Sequence, residues 1–230
     1  MKLIKILILL MVSSLCMAQY SSHQLYQAYL VGDMQVWGRY LEQGQWERMT
    51  KEEQHRYLNY EYGYLAYSIA KDANGAKTML QQFEEHLQEA RKTIDESEYY
   101  AYMSGLYSYK LSLEKIRILK YAPAIFENIK LAMKKGQNNP FVLAMQGNVE
   151  FYNPMGSKEK ALAYFEQAEQ LYLQTQRYEK WNLRTVQMHI IQCLDKMGRK
   201  QEAINQCKQY LEDEPKCVIF NKLLQSINNN

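Results

Sequence analysis

The tyrosines of this chain are spaced so that their side chains could form a functional site. Ten of the 20 tyrosines lie in two windows, residues 57–67 and 99–109. Each ring joins a flat apolar surface to a hydroxyl group, which suits contact with a peptide, a partner helix or a sugar. On a helix, one arc of about 80° holds Tyr57, Tyr60, Tyr64 and Tyr67. Leucines occupy a separate arc, so the pattern predicts a helix with two apolar faces, one of which meets another helix or a ligand.

Residues typical of catalysis or of metal binding are not grouped in this sequence. The four histidines are dispersed, and no two have metal-ligand spacing: they are His23, His55, His86 and His189. The sequence contains no nucleophile elbow, no H-E-x-x-H zinc motif, no P-loop and no dinucleotide-binding glycine motif. We therefore expect a protein that is not an enzyme and that needs no metal and no cofactor.

The first 18 residues have the pattern of a secretory signal peptide. Lys2 and Lys5 precede a short apolar run, and Ala18 supplies a small residue at the expected cleavage site. Lipoprotein processing at Cys16 is the alternative, but it requires a small residue before the cysteine, where this chain has Leu15. We expect export, with a periplasmic location in a Gram-negative bacterium, and no transmembrane segment in the mature chain, residues 19–230.

Charge argues against nucleic acid as a partner. Cleavage would lower the formal net charge from +3 to +1, because the removed segment carries two lysines and no acid. Binding to phosphates requires a basic excess on one face. The local run of Lys110, Lys115, Arg117 and Lys120 is interrupted by Glu114, which predicts a solvated helix face.

Three cysteines would remain after cleavage: Cys193, Cys207 and Cys217. An odd number cannot form a closed disulfide framework. One pair could form a disulfide, or all three could be buried free thiols, and the sequence leaves both possibilities open.

The sequence after residue 18 predicts helices, because prolines and glycines are few and no alternating strand pattern occurs. Capping residues and turns, such as Thr50 with Glu53 and the turn before Pro140, divide it into helix pairs. A period of roughly 35 to 45 residues is typical of a helical solenoid. The predicted pairs span residues 23–46, 51–91, 95–136, 140–175 and 179–213, and a capping helix follows at 216–227.

One half-repeat resembles the tetratricopeptide (TPR) family. Ala161, Phe165 and Ala168 have the A-x3-F-x2-A spacing of the second helix of a TPR repeat, with Gly147 one helix upstream. Gly198 through Ala203, followed by Cys207, Tyr210 and Pro215, resembles the same half-repeat. Residues 138–215 are also similar to exported TPR-like proteins of Gram-negative bacteria without assigned activity. The resemblance implies an all-α, TPR-like antiparallel helix-pair solenoid as a single domain.

The resemblance also implies a ligand groove. In TPR proteins the first helix of each pair lines the concave side, at fixed offsets from its glycine. The offsets around Gly63 and Gly105 give the predicted groove residues Tyr57, Tyr60, Tyr64, Tyr67, Tyr99, Tyr102 and Tyr109. Farther along, the same offsets give Phe141, Ala144, Asn148 and Phe151 around Gly147, and Thr185, Met188, Gln192 and Asp195 in the last copy.

The function implied is that of a non-catalytic scaffold that binds a protein or peptide in an aromatic concave groove. Two alternatives stay open. The same rings could stack on sugars and form a glycan-binding module, or they could be buried between repeats in a purely structural array. The partner's identity and the oligomeric state do not follow from the sequence.

Overall fold

The fold, seen in a computed structural model, consists of α-helices joined by short turns. The structure describes residues 20–229, so the predicted signal peptide, residues 1–18, lies outside the described residues. The helices are α1 (Ser22–Val31), α2 (Met34–Gln43), α3 (Lys51–Lys71), α4 (Gly75–Glu89), α5 (Glu96–Leu113), α6 (Ile118–Gly136), α7 (Pro140–Tyr152), α8 (Lys158–Leu173), α9 (Lys180–Lys196), α10 (Lys200–Asp213) and α11 (Val218–Asn229). Residues 20–229 contain no β-strand, which confirms the expected all-α class.

Side-chain caps fix where several of these helices begin. Thr50 and Glu53 form the capping box that the sequence predicts at the start of α3. Asn139 caps α7 by accepting hydrogen bonds from two backbone N–H groups, and Pro140 occupies the first helical position, where no N–H is needed. Gly32 ends α1 in the left-handed conformation, with φ of 76°, which reverses the chain into α2.

The last helix begins later than predicted. It starts at Val218 instead of residue 216, because Pro215 and Lys216 form a turn. The backbone N–H of Cys217 donates to the carbonyl oxygen of Glu214 at 3.0 Å, which closes that turn before the helix starts.

Successive helices pack against each other, and the two ends of the chain also meet. The first helix, α1, contacts α9 and α11 of the C-terminal half. The hydroxyl of Tyr26 donates to Glu214 at 2.7 Å, and the hydroxyl of Tyr29 lies 3.1 Å from Oγ1 of Thr185. Residues from both halves therefore form one continuous core. Contacts between helices that are distant in sequence therefore hold the two halves together.

Among residues 20–229, every helix is either too short or too polar to span a membrane.

Candidate functional site

Four of the seven predicted groove tyrosines are buried in the core: Tyr57, Tyr60, Tyr99 and Tyr102. They pack against aromatic rings of other helices. Tyr60 lies edge-on to Trp37, with ring centroids 4.8 Å apart, and Tyr102 lies 4.4 Å from Phe141. The groove that the offsets predict is therefore filled at these four positions, because side chains from both earlier and later helices cover the face that the local pattern leaves open.

Each of these four hydroxyl groups also has a partner inside the protein. Tyr57 donates to the carbonyl oxygen of Leu41 at 2.6 Å, and Tyr99 donates to the Gln88 side chain at 3.2 Å. Tyr102 accepts a hydrogen bond of 3.2 Å from the Asn59 side chain. Burial raises the pKa of Tyr57 and of Tyr102 above the usual range. These phenols stay protonated and act as structural hydrogen-bonding groups.

The other three predicted groove residues, Tyr64, Tyr67 and Tyr109, are partly exposed. Tyr64 and Tyr67 lie side by side on α3, with ring centroids 5.5 Å apart. The Tyr109 hydroxyl donates to the Tyr62 carbonyl oxygen at 3.0 Å, and its ring is 5.2 Å from the Tyr62 ring. The structure thus places Tyr109 beside Tyr62, whereas Tyr64 and Tyr67 form a separate pair.

A small cavity of about 40 Å³ lies where α3, α7, α8 and α9 meet. Aromatic side chains form much of its wall: Tyr62, Phe141, Phe165, Tyr172 and Trp181. Ala144, Asn148 and Thr185, which the groove offsets also identify, line the same cavity. Residues selected by the groove offsets on α7 and α9 therefore share one cavity.

Three residues that line this cavity carry buried polar atoms without partners. Nε1 of Trp181, Oδ1 of Asn182 and Oδ1 of Asn148 have no hydrogen-bond partner among the described residues. Trp181 and Asn182 are each only 5% exposed. A buried polar group without a partner costs about 1 to 3 kcal/mol, so most such groups in proteins are paired. The three atoms amount to one unpaired donor and two unpaired acceptors among the residues of the cavity wall.

The histidine in the cavity wall, His189, has a hydrogen-bond partner at each ring nitrogen. Nδ1 of His189 is 2.9 Å from the Thr185 carbonyl oxygen, so it carries the proton, and Nε2 accepts from the Tyr152 hydroxyl at 3.2 Å. Its ring stacks on Phe165, with centroids 4.8 Å apart. Burial lowers the pKa of His189 to about 4, so the ring is neutral at physiological pH.

Two buried carboxylates lie outside the cavity and join α3 to its neighbours. Oε1 of Glu61 is 2.8 Å from Nδ1 of His86, and burial raises the pKa of Glu61. Oε2 of Glu98 is 2.7 Å from Nε2 of His55. Both carboxylates are paired, so they contribute to the packing of the helices rather than to an open acid site.

The three cysteines are free and buried in the structure. Burial raises the pKa of Cys193 to about 12 and that of Cys207 to about 11, which keeps both as thiols. Among the described residues, no group of three or more His, Cys, Asp or Glu side chains could hold a metal ion.

The chain matches no protein-family model and no curated protein. It is similar in fold to a haemophore. That solved structure is the HusA haemophore from Porphyromonas gingivalis, with a TM-score of 0.52 and 17% sequence identity. The match covers 74% of this chain and 96% of that chain. At this identity the likeness shows an all-helical fold, and it leaves the TPR resemblance as an interpretation of the sequence.

Sequence reasoning missed the two cavity residues with unpartnered atoms on α9, Trp181 and Asn182. Both lie in the first turn of that helix, before the positions that the repeat offsets select. A signal was present in part, because three of the residues selected around Gly147 line the same cavity. The offsets identified the α7 side of the site and Thr185 on α9, and they missed the first turn of α9.

Proposed function

We propose that this protein is an exported, non-catalytic binding protein, a TPR-like stack of helix pairs that anchors one side chain of a peptide or protein partner. The cavity between α3, α7, α8 and α9 is the anchoring site. The observation that carries the proposal is the set of unpartnered atoms on Trp181, Asn182 and Asn148. All three residues line one aromatic cavity, whereas the other buried atoms without a partner, such as Oε2 of Glu61 and the Tyr210 hydroxyl, lie apart from it.

The chemistry of the three atoms favours a carboxamide. The indole N–H of Trp181 needs an acceptor, and the two asparagine oxygens each need a donor. A side-chain amide offers one carbonyl oxygen and two N–H bonds, which matches this set. A cavity of about 40 Å³ has room for such a small group, whereas a drug-sized molecule needs roughly 300 Å³ or more. Asparagine or glutamine is therefore the anchoring residue that we expect in the partner.

The groove tyrosines have two different parts in this proposal. Tyr109, Tyr64 and Tyr67 are the partly exposed members. Tyr109 lies beside the cavity residue Tyr62 and would contact the peptide next to its anchor, and the separate pair of Tyr64 and Tyr67 would contact it farther away. Tyr57, Tyr60, Tyr99 and Tyr102 are buried, and they would hold the walls of the site in place. The site would thus be largely formed before the partner binds, which lowers the entropy cost of binding.

Haem is a second possible ligand to consider, because the structural neighbour is a haemophore. The cavity residues do not fit a tetrapyrrole in this structure. The volume is far too small. In addition, Nε2 of His189 already accepts from Tyr152, and the Met145 sulfur accepts from the Tyr62 hydroxyl at 3.1 Å. An amide anchor fits the cavity as it stands.

Selection from a random peptide library tests the proposal, followed by calorimetry with the selected peptides. We expect Asn or Gln to be enriched at one position, and replacement of that residue by Leu to weaken binding about tenfold or more. Asn148→Leu in the protein should remove the preference. Asn205→Leu, on the exposed face of α10, is the matched control and should bind as the wild type does.

Other outcomes would contradict the proposal. Peptide binding that does not depend on Asn148 would mean that the cavity holds only water. Saturable binding of hemin, with a shift of its Soret band and no selected peptide, would identify a flat tetrapyrrole ligand instead. Retention of oligosaccharides on a glycan array, without peptide binding, would favour the glycan alternative.

A further inference from the structure

The turn between α5 and α6, together with the first residues of α6, projects into solvent. All six residues from Lys115 to Lys120 are exposed. Ile116 is 94% exposed, Leu119 is 90% exposed, and Ile118 is more than half exposed. Single exposed apolar residues are common on protein surfaces, but three within six residues form a concentrated apolar projection.

The same six residues carry an excess of positive charge. Three of them are cations, Lys115, Arg117 and Lys120. Arg117 is paired with Glu114 at 3.0 Å, and Nζ of Lys120 lies over the Tyr121 ring at 5.4 Å. Within residues 20–229, Lys115 and Lys120 form no ion pair, so their charge is available to an external anion. The solvated helix face predicted from the sequence is therefore also apolar at its tip.

A second exposed apolar group lies at the same end of the helix array. Met155, in the turn between α7 and α8, is 91% exposed, and Tyr152 at the end of α7 is largely exposed. Because α5 to α8 are consecutive helices joined by short turns, the α5–α6 turn and the α7–α8 turn lie at one end of the array. Exposed apolar side chains are thus concentrated at this end.

We propose that the end of the molecule formed by Lys115 to Lys120 and Met155 docks on an anionic lipid surface. Aliphatic side chains at the tip of a turn can enter the acyl boundary, while flanking cations stay with the phosphate headgroups. Charge complementarity favours lipid over a protein partner, because the centres of protein interfaces are depleted of lysine. Here cations alternate with the apolar residues instead of surrounding them.

Vesicle sedimentation tests this proposal directly. The probes are vesicles of phosphatidylcholine alone and vesicles of phosphatidylcholine mixed with phosphatidylglycerol. We expect the wild-type protein to sediment with the mixed vesicles and to stay in solution with the neutral ones. Lys115→Gln with Lys120→Gln should weaken binding about twenty-five-fold, at about fivefold for each cation. Ile116→Ser with Leu119→Ser should weaken it further, although the cations remain.

Two control variants separate this surface from general effects of charge or hydropathy. Lys130→Gln with Lys134→Gln removes two exposed cations from α6 outside the turn, and Leu173→Ser removes an exposed apolar residue at the end of α8. Both should bind as the wild type does. Failure of the wild type to bind mixed vesicles, or full binding by the Ile116 and Leu119 variant, would overturn the proposal. All altered residues are exposed, so each variant should fold, and circular dichroism verifies this.

Discussion

The hydroxyl of Tyr60 donates a hydrogen bond of 2.8 Å to Oε2 of Glu179, which follows it by 119 residues. The other carboxylate oxygen, Oε1, accepts a hydrogen bond of 3.0 Å from the Ser22 hydroxyl and lies 3.7 Å from Nε of Arg56. A single carboxylate therefore joins α1, α3 and the start of α9. This junction connects α1 with the start of α9 across the face of α3 that carries Tyr60.

Removal of the Tyr60 hydroxyl should weaken the junction. Tyr60→Phe keeps the packed ring but leaves Oε2 of Glu179 without its donor, and we expect a loss of about 2 kcal/mol in the free energy of unfolding. Tyr67→Phe is the matched control, because that ring is partly exposed and its hydroxyl has no hydrogen bond among the described residues; its effect should be near zero. Equilibrium urea denaturation measures both, and equal effects would contradict the role of the junction.

The junction also shows what the sequence can predict and what it cannot. Helix starts such as Thr50 and Asn139 are legible because their capping partners are three or fewer residues away. Periodicity also shows that Tyr57 and Tyr60 share a face, since that depends on local geometry alone. The contact of Tyr60 with Glu179 depends on the path of the whole chain, and no local pattern records it. The burial of the tyrosine face therefore became visible only in the structure.

Glu98 should make stability depend on pH in the acid range. Burial by itself would raise its pKa, but contacts with His55, Tyr178 and Asn139 outweigh burial and hold the pKa below its usual value. A carboxyl group with a lowered pKa stabilises the fold above its unfolded pKa of about 4.3. That contribution is lost as the pH falls through the lower, folded pKa.

Glu98→Gln should therefore lower the free energy of unfolding at neutral pH by about 2 kcal/mol and make its decline in acid less steep. Urea denaturation at a series of pH values measures this. Glu127→Gln, at an exposed position on α6, serves as the control and should follow the wild type. An unchanged acid slope in the Glu98 variant would show that other groups control the acid sensitivity.

The three thiols should be slow to react while the protein is folded. Cys193, Cys207 and Cys217 are buried, and burial raises the pKa of each, which reduces the reactive thiolate. We expect dithionitrobenzoate to modify them orders of magnitude more slowly in buffer than in urea. Ser112→Cys adds an exposed thiol to the same fold and should react at once. Reaction of fewer than all three native thiols in urea would instead indicate a disulfide.

Space, rather than helix propensity, should determine the effect of alanine at Gly63. A Cβ atom there would lie 2.7 Å from Cη2 of Trp181 and 3.0 Å from Cζ3 of Trp37. Both rings are buried, and the Trp37 indole N–H is held by a hydrogen bond of 2.8 Å to the carbonyl oxygen of Leu25. Alanine gains about 1 kcal/mol in helix propensity, but the clash costs about 1 to 3 kcal/mol. We expect Gly63→Ala to lower the free energy of unfolding and, because Trp181 lines the cavity, to weaken peptide binding as well.

Gly38→Ala in α2 is the matched comparison for this effect. Its Cβ atom would meet the hydroxyl oxygen of Tyr64 at 2.7 Å, which is the free end of a partly exposed side chain. Tyr64 can move aside, so the gain in helix propensity should persist as a stabilisation of up to about 1 kcal/mol. Urea denaturation of the two variants should therefore give effects of opposite sign. A stabilising Gly63→Ala would show that the Trp181 ring can shift, and that the cavity wall it forms is not fixed.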